Sequence, residues 1–164
     1  YIPFSKYFTE ALNEIGFIMR GEIIWQKSKG ANANFAWGSW LSASNPVIRD
    51  IHEYCLVFSK DSMKNSSGGK STIEKDEFME STLSIWNITP EKAKKIGHPA
   101  PFPVELPKKF INLYSFKDDL ILDPFIGSGT TAVASKLLKR KYVGYEINKN
   151  YIEIANNRLK METS

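Results

Sequence analysis

The spacing of apolar positions changes several times along the chain, and each change predicts an element. Over residues 7–16, Phe8, Leu12 and Ile15 fall at helical spacing and Gly16 follows as a stop, so a helix is expected there. Glu22-Ile23-Ile24-Trp25 is short, apolar and β-branched, and predicts a strand. Residues 27–50 drop the pattern: Lys27-Ser28-Lys29-Gly30-Ala31-Asn32-Ala33-Asn34 is a polar, small-residue loop, followed by Phe35, Trp37 and Trp40. Tyr54-Cys55-Leu56-Val57-Phe58 predicts a second strand. Residues 59–97 carry no strong periodicity, and 61–71, with Ser66-Ser67-Gly68-Gly69 at the middle, read as a mobile stretch. Beyond His98 the signal sharpens. Pro99, Pro101, Pro103 and Pro107 lead into an expected helix over 108–114, and Leu120-Ile121-Leu122-Asp123 reads as a buried strand. A glycine loop follows, then a helix over about 130–139. Tyr142-Val143-Gly144-Tyr145 predicts a strand ending at Glu146, and residues 150–160 a helix with Ile154, Ala155 and Leu159 inward. Strand, helix, strand, helix with short connections implies a parallel sheet and the α/β class.

Composition narrows the class without naming it. With 164 residues, 42% hydrophobic and 24% charged, the chain has the size of one domain with a real core, and it is no disordered, collagenous or coiled-coil sequence. No apolar run approaches the roughly 20 residues of a membrane span, so no membrane association is expected and the cytoplasm is the expected compartment. The single Cys55 excludes a disulfide or cysteine–zinc framework, and His52 and His98 show no metal-ligand spacing, so no metal is expected. Lys and Arg number 22 against 18 acids, a net +4, compatible with a polyanionic partner but too mild to identify one. The chain opens on Tyr1 inside what reads as structure, and the expectation is a portion of something longer.

The most informative string is Asp123-Pro124-Phe125-Ile126-Gly127-Ser128-Gly129-Thr130-Thr131, set between an apolar strand and a helix. Ligands of open α/β sheets bind at the carboxyl ends of strands. Glycines there let backbone N–H groups approach a ligand, and the helix start supplies partial positive charge for a carboxylate or phosphate. Glu146 ends the next strand about twenty residues on, where an acid suits the two hydroxyls of a ribose. No lysine follows as in a Walker loop, the third glycine of a dinucleotide fingerprint is missing, and Ile126 stands where a nucleophile elbow needs glycine. What remains is either a plain tight turn or a loop for a nucleoside ligand bearing a carboxylate, a description that S-adenosylmethionine fits.

Residues 98–159, from HPAPFP through LDPFIGSGTT to YVGYEINKNYIEIANNRL, resemble the cofactor half of the amino-group DNA methyltransferases, which modify cytosine at N4 or adenine at N6. GEIIWQKSKG, WGSWLSASNP and RDIHEYCLVFSK resemble the segment between catalytic motif and target-recognition region of the same family, so the likeness covers nearly the whole chain. The resemblance implies a Rossmann-like α/β sheet, incomplete in this chain, and S-adenosylmethionine as cofactor. It implies that Asp123, Phe125, Gly127, Ser128, Gly129 and Thr130 surround the methionine part, that Glu146 holds the ribose, and that Ile147 lies beside the adenine. Phe102 and Pro103 match the motif that closes over the cofactor from the other side. Core packing is the plain alternative for Phe125, Ile147 and Phe102, and an idle surface acid the lesser one for Glu146.

The family's catalytic motif is Asp, Asn or Ser, then Pro-Pro, then an aromatic residue that stacks on the flipped base. All 8 prolines here are isolated, so no catalytic residue is assigned; the resemblance places that motif upstream of Tyr1, and a second chain or a preceding segment is expected to complete the sheet. By the same resemblance residues 1–58 are part of the catalytic half, 59–97 the target-recognition and mobile segment, and 98–164 the cofactor half. Double-stranded DNA is the implied partner. Lys64 and Lys70 in the middle segment, and Lys27, Lys29, Asn32, Asn34 and Trp37 in the earlier loop, are the candidate DNA contacts. Trp86 stands among the middle segment's lysines, and Glu74, Asp76, Glu77, Glu80 and Glu91 dilute their charge. A solvated loop, or core packing for Trp40, is the plain alternative. WGSW and RDIHEY resemble members of the family assigned to cytosine, and that resemblance implies cytosine N4 over adenine N6. A non-catalytic half that binds DNA or a partner chain is the rival reading.

Overall fold

The computed structural model describes residues 2–27, 38–39, 41–48, 50–91 and 101–162. They fall into two units, Tyr1–Met63 with Ser84–Ile88, and Lys64–Leu83 with Thr89–Ser164.

In the first unit, helix α1 spans Phe4–Glu14 and strands β1 and β2 span Phe17–Gln26 and His52–Lys60. The helix starts three residues ahead of its expected onset, because Pro3 at its N-cap has φ −78°, close to the helical value, and feeds the first turn. It stops as the sequence suggests: Gly16 takes φ +93° and its N–H bonds Asn13 O at 3.0 Å. The strand expected over 22–25 extends over ten residues, since β1 pairs antiparallel with β2 from Phe17↔Lys60 to Gln26↔His52, with a bulge between Met19 and Gly21. A short strand β3, Ile85–Asn87, joins β1 in parallel. Local pattern gave no sign of it, because three residues acquire strand character only from the partner's ladder. Its Trp86, expected among the lysines, is instead in the core with Ile23, Trp25 and Ile88, and Trp25 Nε1 donates to Ile88 O at 2.8 Å.

The second unit holds helix α2 (Lys75–Ser81), helix α3 (Glu105–Tyr114), strand β4 (Leu120–Asp123), helix α4 (Thr130–Leu137), strand β5 (Lys141–Gly144) and helix α5 (Lys149–Glu162). β4 and β5 pair in parallel from Leu120↔Lys141 to Asp123↔Gly144, with α4 as the crossover. Helix α2 was not expected from residues 59–97; most of its side chains are polar, and its stability comes from contacts with α3. Residues 61–71 form neither helix nor strand and are exposed, though Lys117 N–H bonds Lys70 O at 3.0 Å. The core is the inner face of α4, Ala132 to Ser135, with Leu106 and Ile111 of α3 and Ala155 of α5. β4 is not the buried strand its composition suggested: Leu120 and Leu122 are 63% and 61% exposed, since only one of its faces is packed. Of the inward positions expected on α5, Ala155 is buried, while Ile154 and Leu159 are half-buried.

Candidate functional site

The glycine loop leaves β4 at Asp123, whose carboxylate organises the turn. Its Oδ1 accepts the Phe125 N–H at 3.0 Å and its Oδ2 the Thr131 hydroxyl at 2.6 Å. Gly127 and Gly129 take φ +52° and +83°, conformations L side chains rarely adopt. Gly129 is also the N-cap of α4, where free backbone N–H groups and the helix dipole favour an anion. A Cβ at Gly129 would stand 2.7 Å from Ala155 Cβ, so conformation and space both demand glycine.

Glu146 follows β5, one residue beyond Tyr145, whose N–H and C=O bond Asp123 O and Ile126 N–H, each at 3.0 Å. The half-buried Glu146 carboxylate accepts Gly127 N–H through Oε2 at 3.1 Å and Asn148 N–H through Oε1 at 2.8 Å. Asn148 Oδ1 in turn accepts Asn150 N–H at 3.0 Å at the opening of α5. Loop and acid, separate motifs in the sequence, are therefore joined by a hydrogen bond. A cleft of about 260 Å³ beside them is lined by Ile126, Gly144, Glu146, Ile152, Ala155 and Asn156, among others. A larger cleft of about 340 Å³ in the first unit carries none of the predicted site residues.

Phe125 and Ile147 do not pack in the core, the plain alternative for both: they are 88% and 99% exposed. Asp123, Phe125, Gly127, Ser128, Gly129, Thr130, Glu146 and Ile147 gather around the carboxyl ends of the two parallel strands. Phe102 is half-buried and Pro103 buried just ahead of α3, with Pro103 O accepting Leu106 N–H at 3.1 Å.

The side chains of Ser128 and Thr130 are buried and accept hydrogen bonds from Arg158, a residue the sequence reading passed over. The signal was present. Arg158 lies one turn after Ala155, so a cation occupies the inward stripe of α5, where only a satisfied charge is tolerated.

The candidate DNA contacts divide. Lys29, Asn32, Asn34 and Trp37 lie outside the described residues, as does Trp40. Lys27, in the first unit, is half-buried, pairs with Glu53 and sits 5.2 Å from the Trp25 ring centroid, so part of its charge is already compensated. Lys64 and Lys70 are exposed in the second unit. Among the described residues no helix is long and apolar enough to cross a membrane, and no three His, Cys, Asp or Glu gather to hold a metal ion.

Comparison with known proteins gives the family of the chain. The profile of the DNA methylase family matches residues 3–157. The chain is 32% identical over 168 residues to the type II methyltransferase M.MjaI of Methanocaldococcus jannaschii, covering 96% of this chain and 54% of that protein. It is 52% identical to the orphan methyltransferase M.BamHII of Bacillus amyloliquefaciens over 84 residues, 48% of this chain and 32% of that one. Among solved structures, TTHA0409 of Thermus thermophilus, described as a DNA modification methylase, superposes with TM-score 0.79 at 26% identity, over 99% of this chain and 64% of that one. The same protein complexed with S-adenosyl-L-methionine gives TM-score 0.75. The chain thus spans about half the length of M.MjaI, and its α/β architecture is that of the Rossmann-like methyltransferases. It belongs to the DNA methylase family of amino-group (N6 and N4) methyltransferases.

Proposed function

We propose that this chain supplies the S-adenosylmethionine site of a site-specific DNA amino-methyltransferase, with the N4 amine of cytosine as acceptor. The observation that carries the reading is the hydrogen bond from Gly127 N–H to Glu146, which ties an anion-ready helix start to a carboxylate at the end of the neighbouring strand. A nucleoside bearing a carboxylate asks for that pair of groups. The residues fit the ligand: Glu146 keeps unused lone pairs for ribose hydroxyls, the start of α4 offers N–H groups to a carboxylate, and Phe125 and Ile147 present exposed apolar surface.

In this reading Asp123, Phe125, Gly127, Ser128, Gly129 and Thr130 form the methionine side. Glu146 takes the ribose and Ile147 flanks the adenine, while Phe102 and Pro103 close the opposite side. S-adenosylmethionine brings a methyl group already activated by its sulfonium charge. What the chain's residues contribute is orientation and exclusion of water. Residues 98–164 act as the cofactor half, 59–97 as the target-recognition segment and 1–58 as part of the catalytic half; no residue of the chain is assigned to the transfer step itself. Lys27, Lys29, Lys64 and Lys70 neutralise phosphates, and Asn32, Asn34 and Trp37 face the bases. The WGSW and RDIHEY strings favour cytosine N4; adenine N6 is the second reading, supported by the family's breadth.

The test is transfer of a labelled methyl group to duplex DNA by the protein as its cells make it, followed by digestion to nucleosides. Label in N4-methylcytosine supports the reading, and label in N6-methyladenine transfers it to the second. Glu146→Ala should weaken S-adenosylmethionine binding by about tenfold or more, as expected for loss of a charged acceptor. Cofactor binding without transfer to any DNA would sink the enzyme in favour of a non-catalytic half.

A further inference from the structure

Arg158 lies on the face of α5 that packs against α4, and it is 5% exposed. Its Nη1 donates to Thr130 Oγ1 at 3.0 Å and to both Ser128 O and Ser128 Oγ at 3.3 Å, while Nε binds Glu162 Oε1 at 2.8 Å. One turn earlier on the same face, Ala155 meets the left-handed Gly129. Positions 155 and 158 of one helix therefore touch Ser128, Gly129 and Thr130, the residues at which the loop becomes α4.

Two physical consequences follow. The buried side-chain hydroxyls of Ser128 and Thr130 accept from Arg158 beneath the loop, which fixes their orientation and leaves each hydroxyl its own proton to donate. A buried guanidinium also adds its charge behind a helix start that is already partly positive, and Glu162 compensates it from a side chain that is 38% exposed.

We propose that Arg158 is a positioning residue for the glycine loop: from α5 it clasps Ser128 and Thr130, fixes the direction of the loop's N–H groups and favours an anionic ligand group at the start of α4. The identity of that ligand rests on the function proposed above; the clasp itself does not.

The experiment compares wild type with Arg158→Met and Arg158→Lys in the protein as its cells make it. Hydrogen exchange at the amides of residues 127–130 is followed without ligand. Calorimetry then compares S-adenosylmethionine with its decarboxylated analogue. Arg158→Met should speed loop exchange about tenfold while amides of β1 stay unchanged, and should weaken S-adenosylmethionine about tenfold but the analogue less than about threefold. Arg158→Lys should restore part of both, as a charge without the planar fork. Should Arg158→Met not fold, Thr130→Val removes one acceptor from the other side and should act in the same direction. Unchanged loop exchange, or equal losses for the two ligands, overturns the proposal. A wild-type protein that binds neither ligand while Arg158→Met still loosens the loop overturns the cofactor reading and leaves the clasp standing.

Discussion

At Gly129 a single residue satisfies two demands: a left-handed backbone at φ +83°, and room for Ala155 of the helix beneath. Gly129→Ala should cost about 1–3 kcal/mol, read as a lower urea midpoint at unchanged slope. Ala155→Gly in the same background removes the clashing methyl and should return part of that loss. Cys55 on β2 makes a second residue-scale case. Burial, with a smaller push from Glu53, raises its thiol from 9.0 to about 11. At pH 8 its thiolate fraction is then roughly 100-fold below that of an ordinary cysteine, and alkylation by iodoacetamide in the native protein should be slowed accordingly. The folded value lies above the unfolded one, so the native state holds the proton longer. That contribution is complete below pH 9 and is lost as pH rises through about 11. Cys55→Ala should flatten the alkaline fall of the urea midpoint across that window, and an unchanged slope would contradict the assignment.

Among elements, α2 depends on tertiary contacts with α3. Lys109 of α3 reaches Glu80 at 3.0 Å and Ser81 at 3.4 Å, and Asn112 donates to Glu77 at 2.8 Å and accepts from Thr72 at 3.2 Å. Thr72 also takes a hydrogen bond from Arg140 at 2.6 Å, and Arg140 holds Ser115 through Nε and Nη2. Burial draws the Arg140 pKa down while Asp119 and Asp118 oppose the shift, so these hydrogen bonds keep a charge where solvent cannot. Asn112→Ala should therefore cost about 1–3 kcal/mol, because it leaves the half-buried Thr72 and Glu77 unmatched. The exposed Asn157→Ala on α5 should stay within about 0.5 kcal/mol, and equal melting temperatures for the two would refute the assignment. Seven mostly polar residues carry too little apolar period to be read as a helix, which is why α2 was not legible in the sequence. β4, β5 and α5 were legible, since their apolar runs and glycine punctuation match their local structure.

At the scale of the whole molecule, charge connects the chain to its proposed partner. The net charge of +4 is small, so the proposed DNA binding rests on local lysines. Binding of a duplex oligonucleotide should weaken linearly in log–log terms with salt, and Lys70→Ala should shallow that slope by about 1 without changing sequence preference. Lys27→Ala should change it less, because Glu53 already compensates that charge. A slope untouched by Lys70→Ala would remove residue 70 from the DNA face.

The α/β class, the strand–glycine–helix junction at residues 123–131 and the acid at 146 are legible from the residues alone, because each is written in contiguous residues with strong local preferences. The bond from the Gly127 amide to Glu146, the engagement of Ser128 and Thr130 by Arg158, the core position of Trp86 and the exposure of Phe125 and Ile147 emerge from the folded chain. Burial and pairing depend on what another segment places opposite a residue, and that partner stands 19 residues away for Gly127 and 30 for Ser128.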